Sequence, residues 1–173
     1  MKPYRTARVI CTYKCNKQCF GCVNSVHDEM HVQPIGLTDL ARFDEIIITG
    51  GEPLLFLDQL IDLTEKLSGA RTILYTSVPS YSKLFAVFHL FAGVTITLHD
   101  NEDAIRFNRH FQKYFGNDNG FPLPQFFVRI YDSVTAHVEL FPTAQYKSCK
   151  WVDPKDCKLQ PNEELFRLRN LWI

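Results

Sequence analysis

Hydrophobic positions along the chain change period repeatedly. Residues 7–11 read as a short strand, and a long polar loop follows from 12 to about 34. Glu-Ile-Ile-Ile-Thr at 45–49 is a β-branched run of the kind buried on both faces of a parallel sheet. Leu57, Leu60, Ile61, Thr64 and Leu67 then recur at helical spacing, with Asp62, Glu65 and Lys66 opposite and Gly69 as the stop. Residues 71–77 predict a strand, 81–91 an apolar helix and 94–98 another strand. Ala104, Phe107, Phe111 and Tyr114 mark a further helix, with Asp100 or Asn101 as its cap. Strand alternating with helix predicts an α/β fold on a parallel sheet.

The rhythm fades after Phe115. Residues 117–124 form a Gly/Pro/Asn loop. Segments 126–131 and 135–140 both read as strands, and only Asp132, Ser133 and Val134 separate them. So short a link predicts a hairpin, because a parallel crossover needs about a dozen residues. The expected organisation is a core over 1–141 and a C-terminal tail over 142–173 that packs on the core or closes it. Phe115, Phe121, Phe126, Phe127 and Tyr131 are expected in the core rather than on a base-stacking platform.

Composition narrows the classes. The 173 residues carry 19 basic and 19 acidic side chains, 46% hydrophobic residues and 13% aromatics. That is one domain with material for a real core, and too short for a complete eight-fold barrel at ~250 residues. Zero net charge predicts no global attraction to nucleic acid or to anionic membrane. The first residues lack the apolar stretch of a signal peptide, and the longest apolar run, 84–94, is broken by His89 and Gly93. The expectation is a cytoplasmic chain with no membrane partner, so its six cysteines read as metal ligands or catalytic groups rather than disulfides.

Cys15, Cys19 and Cys22 form Cys-x3-Cys-x2-Cys within the first loop. A loop can wrap three thiolates round one soft metal centre. Three protein ligands on a four-iron cubane leave one iron open to a substrate or cofactor. Two other readings stand beside this one: a four-thiolate zinc site that includes Cys11, and ordinary buried cysteines. Cys149 and Cys157 are too few for a second cluster, and plain packing is expected of them. His27-Asp28-Glu29-Met30-His31 lacks the Glu directly after the first His that a zinc-protease helix needs. Gly50-Gly51-Glu52-Pro53 follows the 45–49 strand directly. Two glycines allow a sharp turn and close backbone approach, and Glu52 offers acceptors to an ammonium group. The bland alternative is a strand-to-helix turn with an acidic first helical turn. If the two strands are parallel neighbours, both motifs face one site at their carboxyl ends.

Taken together, Cys15-x3-Cys19-x2-Cys22 and Gly50-Gly51-Glu52-Pro53 resemble the radical S-adenosylmethionine superfamily, over about residues 9–131 as β/α rhythm. The resemblance implies an open, partial (β/α) barrel, here shortened on its C-terminal side. It implies a 4Fe-4S cluster on the three cysteines and S-adenosyl-L-methionine chelated by the open iron, with the Gly50–53 turn at the methionine ammonium. It further implies polar cofactor contacts from Ser77 and Thr97 at later strand ends and from Arg129 near the cofactor carboxylate. The activity implied is reductive cleavage to a 5′-deoxyadenosyl radical, which abstracts hydrogen from a small molecule, nucleotide or modified base. An electron donor such as flavodoxin or ferredoxin is the implied partner. Cys19-x-Gly21-Cys22-x-Asn24 is also similar to activases of glycyl-radical enzymes, in particular that of anaerobic ribonucleotide reductase, which implies a protein partner. A non-catalytic iron–sulfur or zinc module is the remaining alternative, and it does not require the Gly50–53 turn.

Overall fold

The periodic segments meet on one side of a single sheet. A computed structural model describes residues 4–19, 22–25, 27, 30–67, 69–77, 80–115, 124–156 and 158–173. Among them the strands are β1 (Thr6–Thr12), β2 (Pro34–Ile35), β3 (Glu45–Gly50), β4 (Arg71–Thr76), β5 (Gly93–Leu98), β6 (Gln125–Tyr131), β7 (Ala144–Cys149) and β8 (Glu163–Leu168). The α-helices are α1 (Leu37–Leu40), α2 (Leu57–Lys66), α3 (Tyr81–Val87) and α4 (Asn101–Phe115). The sheet order is β2-β8-β1-β3-β4-β5-β6-β7, with every pair parallel. The fold is therefore α/β with one open parallel sheet, whose edges are β2 and β7. No helix among the described residues is long and apolar enough to cross a membrane.

Alternation along each strand sends one set of side chains to the helices and the other to the opposite face. Val9, Ile46, Ile48, Leu74, Val94, Ile96, Leu98 and Phe126 pack with Leu60, Leu63, Leu84, Phe107, Phe111 and Phe115 in one buried cluster. Helix α4 buries its Phe107–Phe111–Phe115 stripe there, with ring centroids 4.7 and 5.3 Å apart along the stripe. Its start is capped as expected: Asp103 N donates to Asp100 Oδ1 at 2.8 Å. The 81–91 segment runs as α3 and ends in a 3-10 turn over Phe88–Leu90.

The hairpin expected after 126 is not there. Strand β6 pairs in parallel with both β5 and β7, and 135–140 is not a strand. Asn101 and Asn108, two turns apart on α4, take up that segment's backbone instead. Asn101 Oδ1 accepts from Thr135 N at 2.7 Å and Ala136 N at 2.8 Å. Asn108 accepts from Glu139 N at 2.9 Å and donates to His137 O at 2.8 Å. The true next strand, β7, begins a dozen residues after β6 ends, which is long enough for a parallel crossover.

The segment after 141 supplies strands at two places in the sheet, β7 beyond β6 and β8 between β2 and β1. Arg8 Nε donates to Glu163 at 2.5 Å and Arg5 Nη2 to Glu164 at 2.5 Å, matching charges across the β1–β8 pair. The expected core placement holds for Phe115 and Phe126. It fails for Phe127, which lies on the face away from the helices, and for Tyr131, which stacks at the strand ends. Phe121 lies outside the described residues.

Candidate functional site

Strands β1 and β3 are neighbours, so the cysteine loop and the glycine turn leave the sheet side by side. Thr12 is in register with Gly50 after an irregularity between Ile10 and Thr12. The ladder then continues into both loops. Gly51 N donates to Thr12 O at 2.7 Å and Glu52 N to Lys14 O at 2.9 Å. The backbones run so close that side chains are excluded. Gly50 sits at φ +130°, and a Cβ there would lie 2.3 Å from Thr12 O. A Cβ on Gly51 would lie 1.9 Å from Lys14 O. What the two glycines approach closely is thus the root of the cysteine loop itself.

Glu52 is 2% exposed and ties the turn to the end of β4. Its Oε1 accepts from Thr76 Oγ1 at 2.8 Å and from Leu54 N at 3.1 Å, and Oε2 accepts from Ser77 N at 3.0 Å. Pro53 is buried and opens the short turn that Glu52 caps. Burial raises the Glu52 pKa above the usual carboxylate range, against the pull of those hydrogen bonds and of the Lys17 charge. No cation is hydrogen-bonded to it among the described residues, and Oε2 retains room for one more donor.

Cys15 and Cys22 are exposed, and Cys19 is half-buried. Burial pushes the Cys19 thiol up to about 11, with Cys22 and Cys15 adding to the rise and Lys17 opposing it. Burial likewise raises Cys15, with small contributions from Glu52 and Cys22. The three thiols thus act on one another, and Glu52 acts on Cys15. Among the described residues no three His, Cys, Asp or Glu side chains are gathered tightly enough to hold a single metal ion. Cys11 takes no part. It is fully buried on the helix side of β1, its Sγ faces Val9 O at 3.7 Å, and burial pushes its thiol far up. Phe20 and Gly21 lie outside the described residues, as do Asp28, Glu29 and Cys157.

Lys17 pins the loop to the far side of the site. Its ammonium bonds to Asp103 and lies 3.4 Å from Asp100, both at the start of α4. Asp103 is 1% exposed and also accepts from His99 N at 2.9 Å. Burial pushes its carboxyl up, but the bonds from His99 and Lys17 outweigh this and hold it below its ordinary value. His99 Nδ1 is 3.5 Å from Asp103 Oδ2, the outer limit of a hydrogen bond. The His99 ring stacks with Tyr131 at 5.4 Å, and Tyr131 stacks with Trp151 at 4.1 Å. Trp151 Nε1 donates to Ser133 Oγ at 3.0 Å, and that hydroxyl donates to His99 O at 2.6 Å. A cavity of about 610 Å³ opens here between Lys17, Cys19, His99, Asp103, Arg106 and Trp151.

Ser77, Thr97 and Arg129 come together. Thr97 is in register with Arg129, and Ser77 follows directly on the β4 strand that pairs Thr76 with Ile96. All three occupy one row on the face away from the helices. Below this row a cavity of about 500 Å³ draws its lining from the five successive strands β3 to β7, including Ile47, Tyr75, Thr95, Phe127, Arg129 and Lys147. Arg129 Nη2 donates to Tyr75 OH at 2.9 Å, and its Cζ lies 4.7 Å from the Tyr75 ring centroid.

The Lys17–Asp103 pin and the His99–Tyr131–Trp151 stack were not anticipated. Their members are 86 and up to 52 positions apart, and no local spacing signals either. No family model, no curated protein and no solved structure matches the chain.

Proposed function

We propose that the chain is a radical S-adenosylmethionine enzyme, with a 4Fe-4S cluster on Cys15, Cys19 and Cys22 and S-adenosyl-L-methionine at the adjoining strand ends. The observation that carries this reading is the junction of the cysteine loop with the Gly50-Gly51-Glu52-Pro53 turn, which share two backbone hydrogen bonds. The residues fit the group. Three thiols on one loop act on one another electrostatically, and a buried carboxyl without a hydrogen-bonded cation, Glu52, acts on Cys15. A cubane spreads three thiolates over three irons, so it does not need the tight convergence that one zinc ion needs. A cavity lined by five successive parallel strands supports the partial barrel.

When bound, the cluster and S-adenosylmethionine supply one-electron reductive cleavage of the sulfonium, giving methionine and a hydrogen-abstracting 5′-deoxyadenosyl radical. The chain's own part is ligation, orientation and exclusion of water. Cys15 and Cys19, whose pKa values burial raises, would have to release their protons for a metal to bind. Lys17, fixed on Asp103, holds the middle of the loop while Cys15 and Cys22 stay open to an electron donor such as flavodoxin or ferredoxin. Glu52 Oε2 would accept a hydrogen bond from the methionine ammonium, and Ser77 and Thr97 would offer hydroxyls from the next two strands. A small molecule, nucleotide or modified base is taken as substrate.

Anaerobic reconstitution should load about four irons per chain. Cys15→Ala, Cys19→Ala and Cys22→Ala should abolish loading, whereas Cys11→Ala, Cys149→Ala and Cys157→Ala should not. With dithionite the loaded wild type should form 5′-deoxyadenosine and methionine. Stoichiometric zinc without iron uptake, or loaded protein that forms no 5′-deoxyadenosine, would refute the reading. An organic radical that persists on a protein partner would move the chain to the activases.

A further inference from the structure

We propose that the cavity on the helix-free face of the sheet binds an organic anion, a carboxylate or phosphate carried on a flat apolar body, through Arg129 and Lys147. The inference rests on the reading above only in calling this ligand the substrate; the binding site stands on its own chemistry.

Arg129 on β6 and Lys147 on β7 are register partners, so two cations project side by side from adjacent strands into one cavity. Like charges in that position destabilise a sheet. Two other charge pairs on this face are matched: Glu45 accepts from Arg71 at 3.0 Å, and Glu163 from Arg8 at 2.5 Å. Among the described residues neither Arg129 nor Lys147 has an acidic partner. A lysine on an edge strand also deters edge-to-edge pairing, which accounts for Lys147 alone. It does not account for Arg129, which lies one strand in from the edge.

The guanidinium is already oriented. One of its five N–H donors is held by Tyr75 OH and its plane lies near the Tyr75 ring, which leaves the remaining donors for a ligand. A guanidinium fork matches an oxyanion in two-point geometry, and Lys147 adds a second positive charge. Tyr75 belongs to the row below Arg129, since it is level with Thr95 whereas Arg129 is level with Thr97. The cation therefore leans into the cavity rather than towards the cysteine loop. Ile47, Ile73 and Phe127 with the Tyr75 ring supply an apolar floor, and the one acid in the lining, Glu45, is paired with Arg71. A volume of about 500 Å³ is in the range of small-molecule sites.

The test titrates the full chain, free of metal, with phenyl phosphate, benzoate and neutral benzyl alcohol by calorimetry and ligand-observed NMR. At least one anion should bind tenfold or more tightly than benzyl alcohol, and should weaken as salt is raised. Preference for phenyl phosphate assigns a phosphorylated ligand, and preference for benzoate a carboxylate. Arg129→Gln should weaken anion binding at least tenfold, Lys147→Gln about threefold, and Lys113→Gln on α4 not at all. Arg129→Lys keeps the charge without the fork, and an intermediate loss there separates lost recognition from misfolding. Equal binding of all three probes, no measurable binding, or unchanged anion affinity in Arg129→Gln overturns the proposal. So does a loss of S-adenosylmethionine affinity in loaded Arg129→Gln with phenyl phosphate and benzoate unaffected, which would assign Arg129 to the cofactor carboxylate. Failure of the chain to form 5′-deoxyadenosine leaves these titrations readable, so the two readings fail separately.

Discussion

Replacing Gly51 by alanine tests whether the glycine turn and the cysteine loop form one unit. The new Cβ would sit 1.9 Å from Lys14 O, and Cβ atoms do not come within 3.0 Å of such a neighbour. One backbone must therefore move by at least about 1 Å, because the obstacle is a carbonyl and not the end of a flexible side chain. The movement breaks or strains Glu52 N to Lys14 O (2.9 Å) and Gly51 N to Thr12 O (2.7 Å). At ~0.5–1.5 kcal/mol net per hydrogen bond and ~1–3 kcal/mol for overpacking, the cost is about 2–6 kcal/mol. Native domains are stable by about 5–15 kcal/mol, so a loss of this size is large but leaves a measurable folded population over most of that range. Gly69 is the control, since it is exposed and a Cβ there meets nothing within 4 Å. Gly69→Ala should be neutral or slightly stabilising. Urea unfolding of both variants measures the difference, and iron uptake gives a second readout, because Lys14 directly precedes Cys15. If Gly51→Ala unfolds within about 0.5 kcal/mol of Gly69→Ala, the stitched junction does not exist as described.

Asp103→Asn should cost about 1–3 kcal/mol at pH 7 by weakening the Lys17 and His99 bonds. Because the folded-state pKa of Asp103 is lowered, its contribution is present above the ordinary carboxylate range and is lost as pH falls through the lower folded value. Urea midpoints for wild type and variant should thus converge on acidification to below about pH 4, and a constant gap would refute the assignment. Glu52→Gln should weaken S-adenosylmethionine binding by roughly ten- to a hundredfold with the cluster spectrum intact. Unchanged affinity in an anaerobic titration would leave Glu52 as a purely structural cap. Cys11→Ala should lower the unfolding midpoint and leave iron content unchanged, since Cys11 lies in the core on the helix side of β1. Loss of iron would return it to the ligand set.

The elements that could be read from sequence are those whose periodicity is local and long. The Ile46–Ile48 run, the α2 stripe and the α4 phenylalanines each announce a buried face within one segment. Strands β7 and β8 do not. Ala-Gln-Tyr-Lys-Ser-Cys is an edge strand with exposed alternate positions, and Glu-Glu-Leu-Phe-Arg-Leu opens on two acids whose arginine partners lie more than 150 residues away. The 135–140 segment has strand-like composition, but α4 offers its backbone two asparagines before any strand can. The site divides in the same way. The cysteine spacing and the glycine pair are local patterns and could be found. The Lys17–Asp103 pin, the ring stack and the Arg129–Lys147 pair arise only when distant strands come into register.

The glycine pair cannot by itself argue for a ligand, because the chain's own backbone at Thr12 and Lys14 already requires both positions to lack a Cβ. Glu52 is different. The donors around it are two backbone N–H groups and one hydroxyl, and a neutral side chain could accept from these without carrying a charge into a site 2% exposed. Burying a carboxylate costs far more than burying an amide unless a cation compensates, and here burial dominates its pKa. The cation that acts on it, Lys17, is committed to Asp103. The turn thus keeps an ionisable carboxyl that its own hydrogen bonding does not need, beside a loop of three cysteines. The ammonium of the proposed metal-bound cofactor would meet both at once, which a structural zinc site would not.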